Sequence, residues 1–214
     1  MFGVEFPVID LARLAAAPVE TSPFTYFSAC DVIAPDQLAN VARDFPDTGQ
    51  PGLFPLSDLH GGPAFDALAR DLRRPEFTAL MARKLGVELA DKPMLITVRV
   101  RCARRDGRAH TDSEDKVATG LLYLNEAGWG EAGGRLRLLR SGDVGDVITE
   151  IAPLGGTLVA FRRTDNSWHG HEPFEGRRRY IMFNWVRSEA VLAKNLARHK
   201  LSSAIKRLDP FHAH

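Results

Sequence analysis

The sequence of 214 residues is poor in cysteine, has no excess of one charge sign and contains no long apolar run. Its two cysteines, Cys30 and Cys102, lie far apart and in no paired motif, which argues against a disulfide-stabilised scaffold. A formal net charge of +1 gives no bulk electrostatic reason to expect nucleic acid or an anionic membrane as a partner. The first twenty residues lack the pattern of a secretion signal, and no later stretch reaches the ~20 apolar residues that span a bilayer. We therefore expect a soluble, cytoplasmic protein.

The first 92 residues have the pattern of helices. Apolar residues recur at spacings of three and four in the segments 37–45, 64–72 and 75–86. Pro46 follows the first segment and Gly86 ends the third, and both residue types are common where helices stop. We expect residues 1–92 to form a helical N-terminal region that packs on the rest of the chain.

From Pro93 the apolar pattern changes to that of short strands. Alternating or continuous apolar segments, separated by Gly, Asp, Asn or Pro, cover residues 94–102, 116–125, 134–140, 146–152, 156–163 and 178–186. Several short strands in series favour a jelly roll. The predicted fold class is mainly β with flanking helices (α+β). A double-stranded β-helix core spans residues 93–187, and a C-terminal helical tail spans residues 188–214 of the same domain.

Three histidines and one aspartate are candidate metal ligands. His110 and Asp112 precede a predicted strand with one residue between them, so in an extended segment their side chains point the same way. About sixty residues later, the segment Ser-Trp-His-Gly-His offers His169 and His171, and strand parity does not choose between them. Two histidines and one carboxylate on one face of an iron ion leave coordination positions open, as non-haem iron(II) oxygenases require.

The order and spacing of these pieces resemble the 2-oxoglutarate/iron(II) oxygenase family, in its prolyl-hydroxylase-like branch. The resemblance covers roughly residues 93–187 and is carried by the segments HTDSEDK, LLYLN, GGRLRLL, PLGGTLVAF, SWHGH and RRRYIMFNW. It implies that His110, Asp112 and His169 bind Fe(II), because the family's Trp-His-Gly context falls on His169. His171 would then be a pocket residue.

The resemblance also implies a basic residue, on the strand after the distal histidine, that binds the far carboxylate of 2-oxoglutarate. A guanidinium group suits this role because its planar fork matches a carboxylate. We assign the role to Arg179 rather than Arg178, since Arg179 shares a strand face with apolar and aromatic residues that we expect to line the barrel interior. Tyr123 is expected to hydrogen-bond the same carboxylate.

Arg99 and Arg101 lie two residues apart on the first predicted strand and therefore share one of its faces. We expect that face to be solvated, with the mouth of the pocket as the alternative position.

The resemblance implies an Fe(II)- and 2-oxoglutarate-dependent dioxygenase. Such a hydroxylase would use dioxygen to decarboxylate 2-oxoglutarate and hydroxylate a C–H bond of a peptidyl residue or a small molecule, with ascorbate as an optional further cofactor. Two alternatives stay open. One is a cupin-like metalloenzyme without 2-oxoglutarate, although the extra histidines typical of such sites are missing near His110. The other is a jelly-roll binding domain without catalytic activity. The sequence does not identify the primary substrate.

Overall fold

A computed structural model of the chain describes residues 7–125 and 128–208. Its helices are α1 (Leu11–Ala16), α2 (Pro35–Arg43), α3 (Pro63–Asp71), α4 (Pro75–Leu85) and α5 (Glu189–Leu208). Its strands are β1 (Tyr26–Ala29), β2 (Phe54–Pro55), β3 (Met94–Cys102), β4 (Lys116–Tyr123), β5 (Leu136–Leu139), β6 (Val147–Ile151), β7 (Leu158–Arg162), β8 (Trp168–Gly170) and β9 (Gly176–Val186).

The helices expected in the N-terminal region are present, and local sequence signals set their ends. Each of α2, α3 and α4 begins at a proline, which loses no intrahelical hydrogen bond at the first helical position. The end of α4 is set by Gly86, whose φ of +63° lies in the left-handed region that glycine adopts at little steric cost.

The strands form two antiparallel sheets. The major sheet has the order β1-β7-β4-β9-β3-β2, and the minor sheet has the order β6-β5-β8. Strands that pair in the major sheet are often far apart in sequence, as are β4 and β9. Two such sheets packed face to face form a double-stranded β-helix, so the predicted fold class is confirmed.

One face of the major sheet, which we call the helix face, packs on the N-terminal helices. On β9 this face carries Ile181, Phe183 and Trp185, all buried. The ring centroid of Phe77 from α4 lies 5.4 Å from that of Phe183 and 6.2 Å from that of Trp185. The helices therefore cover this face with an apolar interface.

The other face of the major sheet, which we call the inner face, points towards the minor sheet. Tyr123, Phe161 and Tyr180 on this face share a buried cluster with Leu136 and Leu138 of β5. The inner face also carries buried polar groups, and the candidate site lies there.

The N-terminal region contributes strands as well as helices. β1 pairs with β7 at one edge of the major sheet, and β2 pairs with β3 at the other. With four and two residues, these strands are too short to show a periodic pattern in the sequence. The division of the chain at residue 92 stays a prediction. In the expected tail, α5 ends at Leu208, and the residues after it lie outside the described range.

No helix in the described part of the chain combines the length and the apolar composition that crossing a membrane would require.

Candidate metal centre and co-substrate pocket

Backbone pairing brings the two halves of the candidate metal site together. The amide of His110 donates to the carbonyl oxygen of His169 at 3.0 Å, and the amide of His169 donates back to His110 at 2.9 Å. This antiparallel bridge sets the two imidazole rings side by side, with centroids 4.4 Å apart. Asp112 follows His110 by two residues and points the same way.

His110, Asp112 and His169 each offer a ligand atom, and these atoms all lie within 4.8 Å of one another. Asp112 and His169 are buried, whereas His110 is exposed. Two imidazoles and one carboxylate form the donor set of a facial triad, which suits Fe(II) and leaves three positions for other ligands. The residues present therefore fit this metal.

Both histidines have the tautomer that a metal ligand needs. His110 Nδ1 lies 2.8 Å from the carbonyl oxygen of Arg108, and His169 Nδ1 lies 3.0 Å from that of Ser167. A carbonyl oxygen only accepts hydrogen bonds, so each Nδ1 carries the proton and each Nε2 keeps a lone pair. Burial, and secondarily the nearby His110, lower the pKa of His169 to about 4 against the opposing charge of Asp112.

Asp112 is held as a carboxylate. Burial alone would raise its pKa, but the positive charge of Lys116 and the imidazole of His169, with hydrogen bonds from Lys116 and Thr119, outweigh burial and lower it to about 2. Lys116 Nζ lies 2.5 Å from Oδ1, and the Thr119 hydroxyl lies 2.5 Å from Oδ2. Each carboxylate oxygen thus has one protein donor, which restricts the rotation of the group.

Thr119 links Asp112 to Asn184 on β9. The Thr119 hydroxyl lies 2.8 Å from Asn184 Oδ1 as well as 2.5 Å from Asp112 Oδ2, yet it has a single proton to donate. Among the described residues, the buried Asn184 Nδ2 has no hydrogen-bond partner. Rotating the amide by half a turn resolves both facts, because Nδ2 then donates to Thr119 and Thr119 donates to Asp112. We assign this orientation.

His171 is buried close to the site but outside the group of three. Its Nδ1 lies 2.7 Å from the carbonyl oxygen of Glu172. Burial, followed by the positive charge of Arg178, lowers the pKa of His171 to about 4. The geometry is that of a pocket residue, as the family resemblance implies.

The structure corrects the orientation predicted for the two central arginines of β9. Arg179 lies on the helix side, where its Nη1 donates to the carbonyl oxygen of Ala42 and its guanidinium stacks over the ring of Phe45. Arg178 lies on the inner face, where its Nη2 is 3.1 Å from the Tyr123 hydroxyl. The prediction that Arg179 points into the space between the sheets is wrong. The physical reason is that the apolar face of β9 packs on helices, whereas the inner face carries the polar groups.

Arg178 is a deeply buried cation. Only 2% of its surface is exposed. Its Nε donates to the carbonyl oxygen of Gly134 at 2.7 Å, and its guanidinium carbon lies 5.3 Å and 5.0 Å from the ring centroids of Tyr123 and Tyr180. No carboxylate among the described residues forms an ion pair with it. A buried charge without a counter-ion is costly, so this position suits an anionic ligand.

Tyr123 is positioned as a hydrogen-bond donor beside Arg178. It is fully buried, and burial raises the pKa of its hydroxyl to about 12, although the charge of Arg178 opposes this. The hydroxyl therefore stays protonated at neutral pH. Tyr123 and Arg178 lie together, as a carboxylate site would require.

Arg99 differs from the expectation of a solvated strand face. It is buried on the inner face, forms an ion pair with Asp106 and lies over the ring of Tyr180. Arg101 is exposed, because the register of β3 against β9 shifts between Arg99 and Arg101. An irregularity of this kind leaves no sign in the two-residue pattern.

Sequence reasoning missed the three residues that hold Asp112, namely Lys116, Thr119 and Asn184. Thr119 shares a strand face with Tyr123, so the two-residue period gave a signal for it. Asn184 gave none, because its role depends on the pairing of Thr119 with Asn184 across β4 and β9.

Comparisons with known proteins agree with this geometry. Residues 99–187 match the model of the 2OG-Fe(II) oxygenase superfamily. No curated protein matches the chain. Among solved structures, the chain is similar to a prolyl-4-hydroxylase from Pseudomonas putida, with 19% identity and a TM-score of 0.50 over 84% of this chain and 93% of that one.

Two other solved structures are also similar to the chain. Prolyl 4-hydroxylases from Phytophthora capsici give 16% identity and a TM-score of 0.46 over 86% of this chain and 70% of that one. The viral collagen prolyl hydroxylase of Paramecium Bursaria Chlorella virus-1 gives 16% identity and a TM-score of 0.48 over 76% of this chain and 95% of that one. At these identities the likeness concerns the fold alone.

The family match contains every element of the candidate site. His110, Asp112, His169 and Arg178 all lie within the matched residues, and the first three converge on one point. Residues 99–187 thus match the 2OG-Fe(II) oxygenase superfamily over the whole candidate site, and this match supports a dioxygenase that depends on Fe(II) and 2-oxoglutarate.

Proposed function

We propose that this chain is a hydroxylase in which His110, Asp112 and His169 bind Fe(II), and Arg178 and Tyr123 bind the far carboxylate of 2-oxoglutarate. The observation that carries the proposal is the convergence of the three donor groups within 4.8 Å. The reaction converts a C–H bond of a peptidyl residue or a small molecule into C–OH.

Bound iron(II) and 2-oxoglutarate supply the oxidising chemistry, in which dioxygen is consumed and 2-oxoglutarate becomes succinate and carbon dioxide. The protein holds the ligands for it. Lys116 and Thr119 fix the two oxygens of Asp112, and the backbone carbonyls behind His110 and His169 orient the imidazoles. This support would hold the three side chains in place for a bound Fe(II).

The guanidinium of Arg178 supports the binding of the co-substrate. Two of its nitrogens donate to Gly134 and Tyr123, and no described residue accepts a hydrogen bond from Nη1. A carboxylate next to Nη1 and the Tyr123 hydroxyl would give this buried charge its counter-ion. The gain is large in a buried site, since charge-assisted hydrogen bonds are roughly twice as strong as neutral ones.

The primary substrate of this hydroxylase is a peptidyl residue or a small amino-acid-like molecule. The fold likeness to a prolyl-4-hydroxylase is compatible with a peptidyl substrate, and a small amino-acid-like molecule would meet the same chemistry. The near-neutral formal charge of the whole chain gives no reason to expect nucleic acid or a membrane. Neither the cupin-like alternative nor the non-catalytic one is favoured by any observation.

The metal assignment is tested by substitution of its carboxylate. Asp112→Ala should weaken Fe(II) binding by about 10-fold or more under anaerobic conditions, because one of three protein ligands is lost. Glu114→Ala, which removes an exposed carboxylate two residues away, should leave the affinity unchanged. The measurement is competition with a metal-sensitive dye. Full iron occupancy of Asp112→Ala at micromolar metal would contradict the assignment.

The two histidines are compared in the same assay. His169→Ala should lose most of the metal affinity, and His171→Ala should keep it, since the His171 imidazole lies outside the group of three. The reverse result would exchange their roles.

A further inference from the structure

Positive charge is concentrated in one short segment beside the metal site. Residues 99–108 contain five arginines and one aspartate, although the formal net charge of the chain is only +1. We propose that Arg104, Arg105 and Arg108 bind an anionic group, a carboxylate or a phosphate, on the primary substrate. This inference rests on the proposed function, because it concerns the substrate of the same site.

These three arginines line one cavity, which we call the arginine cavity. Its volume is about 780 Å³, and Asp143 and His171 also line it. Cavities that bind small molecules usually have volumes of roughly 300–1,000 Å³. The arginine cavity is therefore large enough for a metabolite or for one or two residues of a peptide.

No described carboxylate forms an ion pair with Arg104, Arg105 or Arg108. Asp106, the acidic residue of the segment, is already engaged, because it accepts hydrogen bonds from Arg99 and from the Ala103 amide. Asp143 accepts a hydrogen bond from the amide of Gly145 at 2.8 Å. Three arginines without a described ion-pair partner thus line one space, and guanidinium groups are suited to binding a carboxylate or a phosphate.

The turn that carries the arginines is held at both ends. An ion pair between Asp106 and Arg99 ties it to β3. The carbonyl oxygen of Gly107 accepts a 2.7 Å hydrogen bond from the amide of His171, and a Cβ at Gly107 would lie 2.1 Å from His171 Nε2. This close approach requires glycine, whose φ here is +81°. A fixed turn loses little conformational entropy when it binds a ligand.

The arginine cavity adjoins the metal-binding segment. Ala109, which also lines it, directly precedes His110, and the carbonyl oxygen of Arg108 contacts the His110 imidazole. Two extended residues span at most about 7 Å, so the backbone of Arg108 is this close to that of His110. A substrate anchored by its anionic group in the cavity would therefore lie next to the metal-binding segment. Arg178, which we assign to 2-oxoglutarate, is buried on the inner face and does not line the cavity.

The test uses three probes that share one ring and differ in charge: phenyl phosphate, benzoate and the neutral benzamide. Binding to the Fe(II)-loaded protein with saturating 2-oxoglutarate is measured by anaerobic calorimetry. The test variant is Arg104→Gln with Arg105→Gln, both at exposed positions. The control variant is Arg83→Gln with Arg162→Gln, which removes the same charge at exposed positions outside the cavity.

We expect at least one anionic probe to bind wild type saturably, and benzamide to bind at least about 10-fold more weakly. The test variant should weaken anion binding by about 10-fold or more, since it removes two of three charge-assisted contacts. The control variant should not weaken it, and the test variant should keep its thermal stabilisation by 2-oxoglutarate. The tighter of the two anions identifies the charged group.

Several results would overturn the inference. These are equal anion binding in the test variant and wild type, equal loss in the control variant, or no saturable binding of either anion. Loss of 2-oxoglutarate stabilisation in the test variant would also overturn it, because the arginines would then serve the co-substrate. If 2-oxoglutarate fails to stabilise wild type while anions still bind through Arg104 and Arg105, the hydroxylase proposal fails and the anion site stands. Arg108→Gln provides a second variant if the double variant does not fold.

Discussion

At the residue scale, the most informative side chain is Arg178. It combines near-complete burial with a full positive charge and with the absence of a carboxylate partner among the described residues. Arg179, next to it, is bonded to the N-terminal helices instead. The two arginines therefore form a natural matched pair, equal in chemistry and opposite in orientation.

We predict that Arg178→Gln removes most of the thermal stabilisation that 2-oxoglutarate gives to the metal-loaded protein. A ligand that binds only the native state raises its unfolding free energy, and loss of a buried charge partner costs roughly 3–5 kcal/mol. Arg179→Gln should keep the stabilisation. Melting temperatures are compared with and without 2-oxoglutarate within each variant, which separates ligand binding from any change in the apo fold. A full ligand shift in Arg178→Gln would rule out the assignment.

The hydrogen-bond chain from Asn184 through Thr119 to Asp112 gives a second prediction at this scale. Thr119→Val keeps the shape of the side chain but removes the donor to Asp112, so metal affinity should fall by about 10- to 100-fold. Thr119→Ser keeps the hydroxyl donor and should therefore keep the metal affinity of wild type. Thr97→Val is the control, because Thr97 is also a buried threonine of the major sheet and its hydroxyl has no described partner.

The readout for Thr119 is the dissociation constant of Fe(II), with the apo melting temperature measured beside it. A positioning role lowers metal affinity while the apo melting temperature of Thr119→Val stays close to that of Thr119→Ser. Equal metal affinities in Thr119→Val and Thr97→Val would show that Thr119 does not position the ligand.

At the scale of elements, strand periodicity predicted which residues share a face but not which face is which. Along β9, residues 178, 180, 182 and 184 were correctly separated from residues 179, 181, 183 and 185. The assumption that the more apolar set lines the barrel failed because both faces are buried here. Helices cover one face, and the other carries groups that bind ligands, so apolarity does not mark the inner face.

The pairing of strands supplies the missing information. Tyr123 pairs with Tyr180, Leu121 with Met182, and Thr119 with Asn184, so these residues lie on one face of the major sheet. Tyr123 was predicted from its motif, and the register then places Arg178 beside it. Register arises from contacts between residues distant in sequence, and a single sequence without its partners does not reveal it. The grouping of the three candidate metal ligands was easier to predict because two of them lie in one short motif.

At the scale of the whole molecule, the N-terminal region has two roles. Its helices cover the helix face of the major sheet, where Phe77 packs on Phe183 and Trp185. The segment between α2 and α3, residues 46–62, which includes the short strand β2, reaches the other side. Leu53 from this segment packs against the buried cluster of the inner face, whereas Leu56, three residues later, packs against the cluster under the helices. This segment thus contacts both apolar clusters. Leu56 packs on the cluster under the helices, and Leu53 packs on the inner-face cluster, where the candidate site lies.

We predict that Leu53 helps to select the substrate, because a long loop beside a pocket often binds or covers the ligand. Two rates are measured through succinate formation: decarboxylation of 2-oxoglutarate alone, and decarboxylation stimulated by a peptide digest or a metabolite extract. Leu53→Ala should preserve the first rate and lower the second. Leu56→Ala should destabilise the fold, since it removes partly buried apolar surface at about 25 cal/mol per Å², and should keep the ratio of the two rates. If Leu53→Ala lowers both rates equally, the segment supports the fold or the iron site rather than the substrate, and its role in selection is excluded.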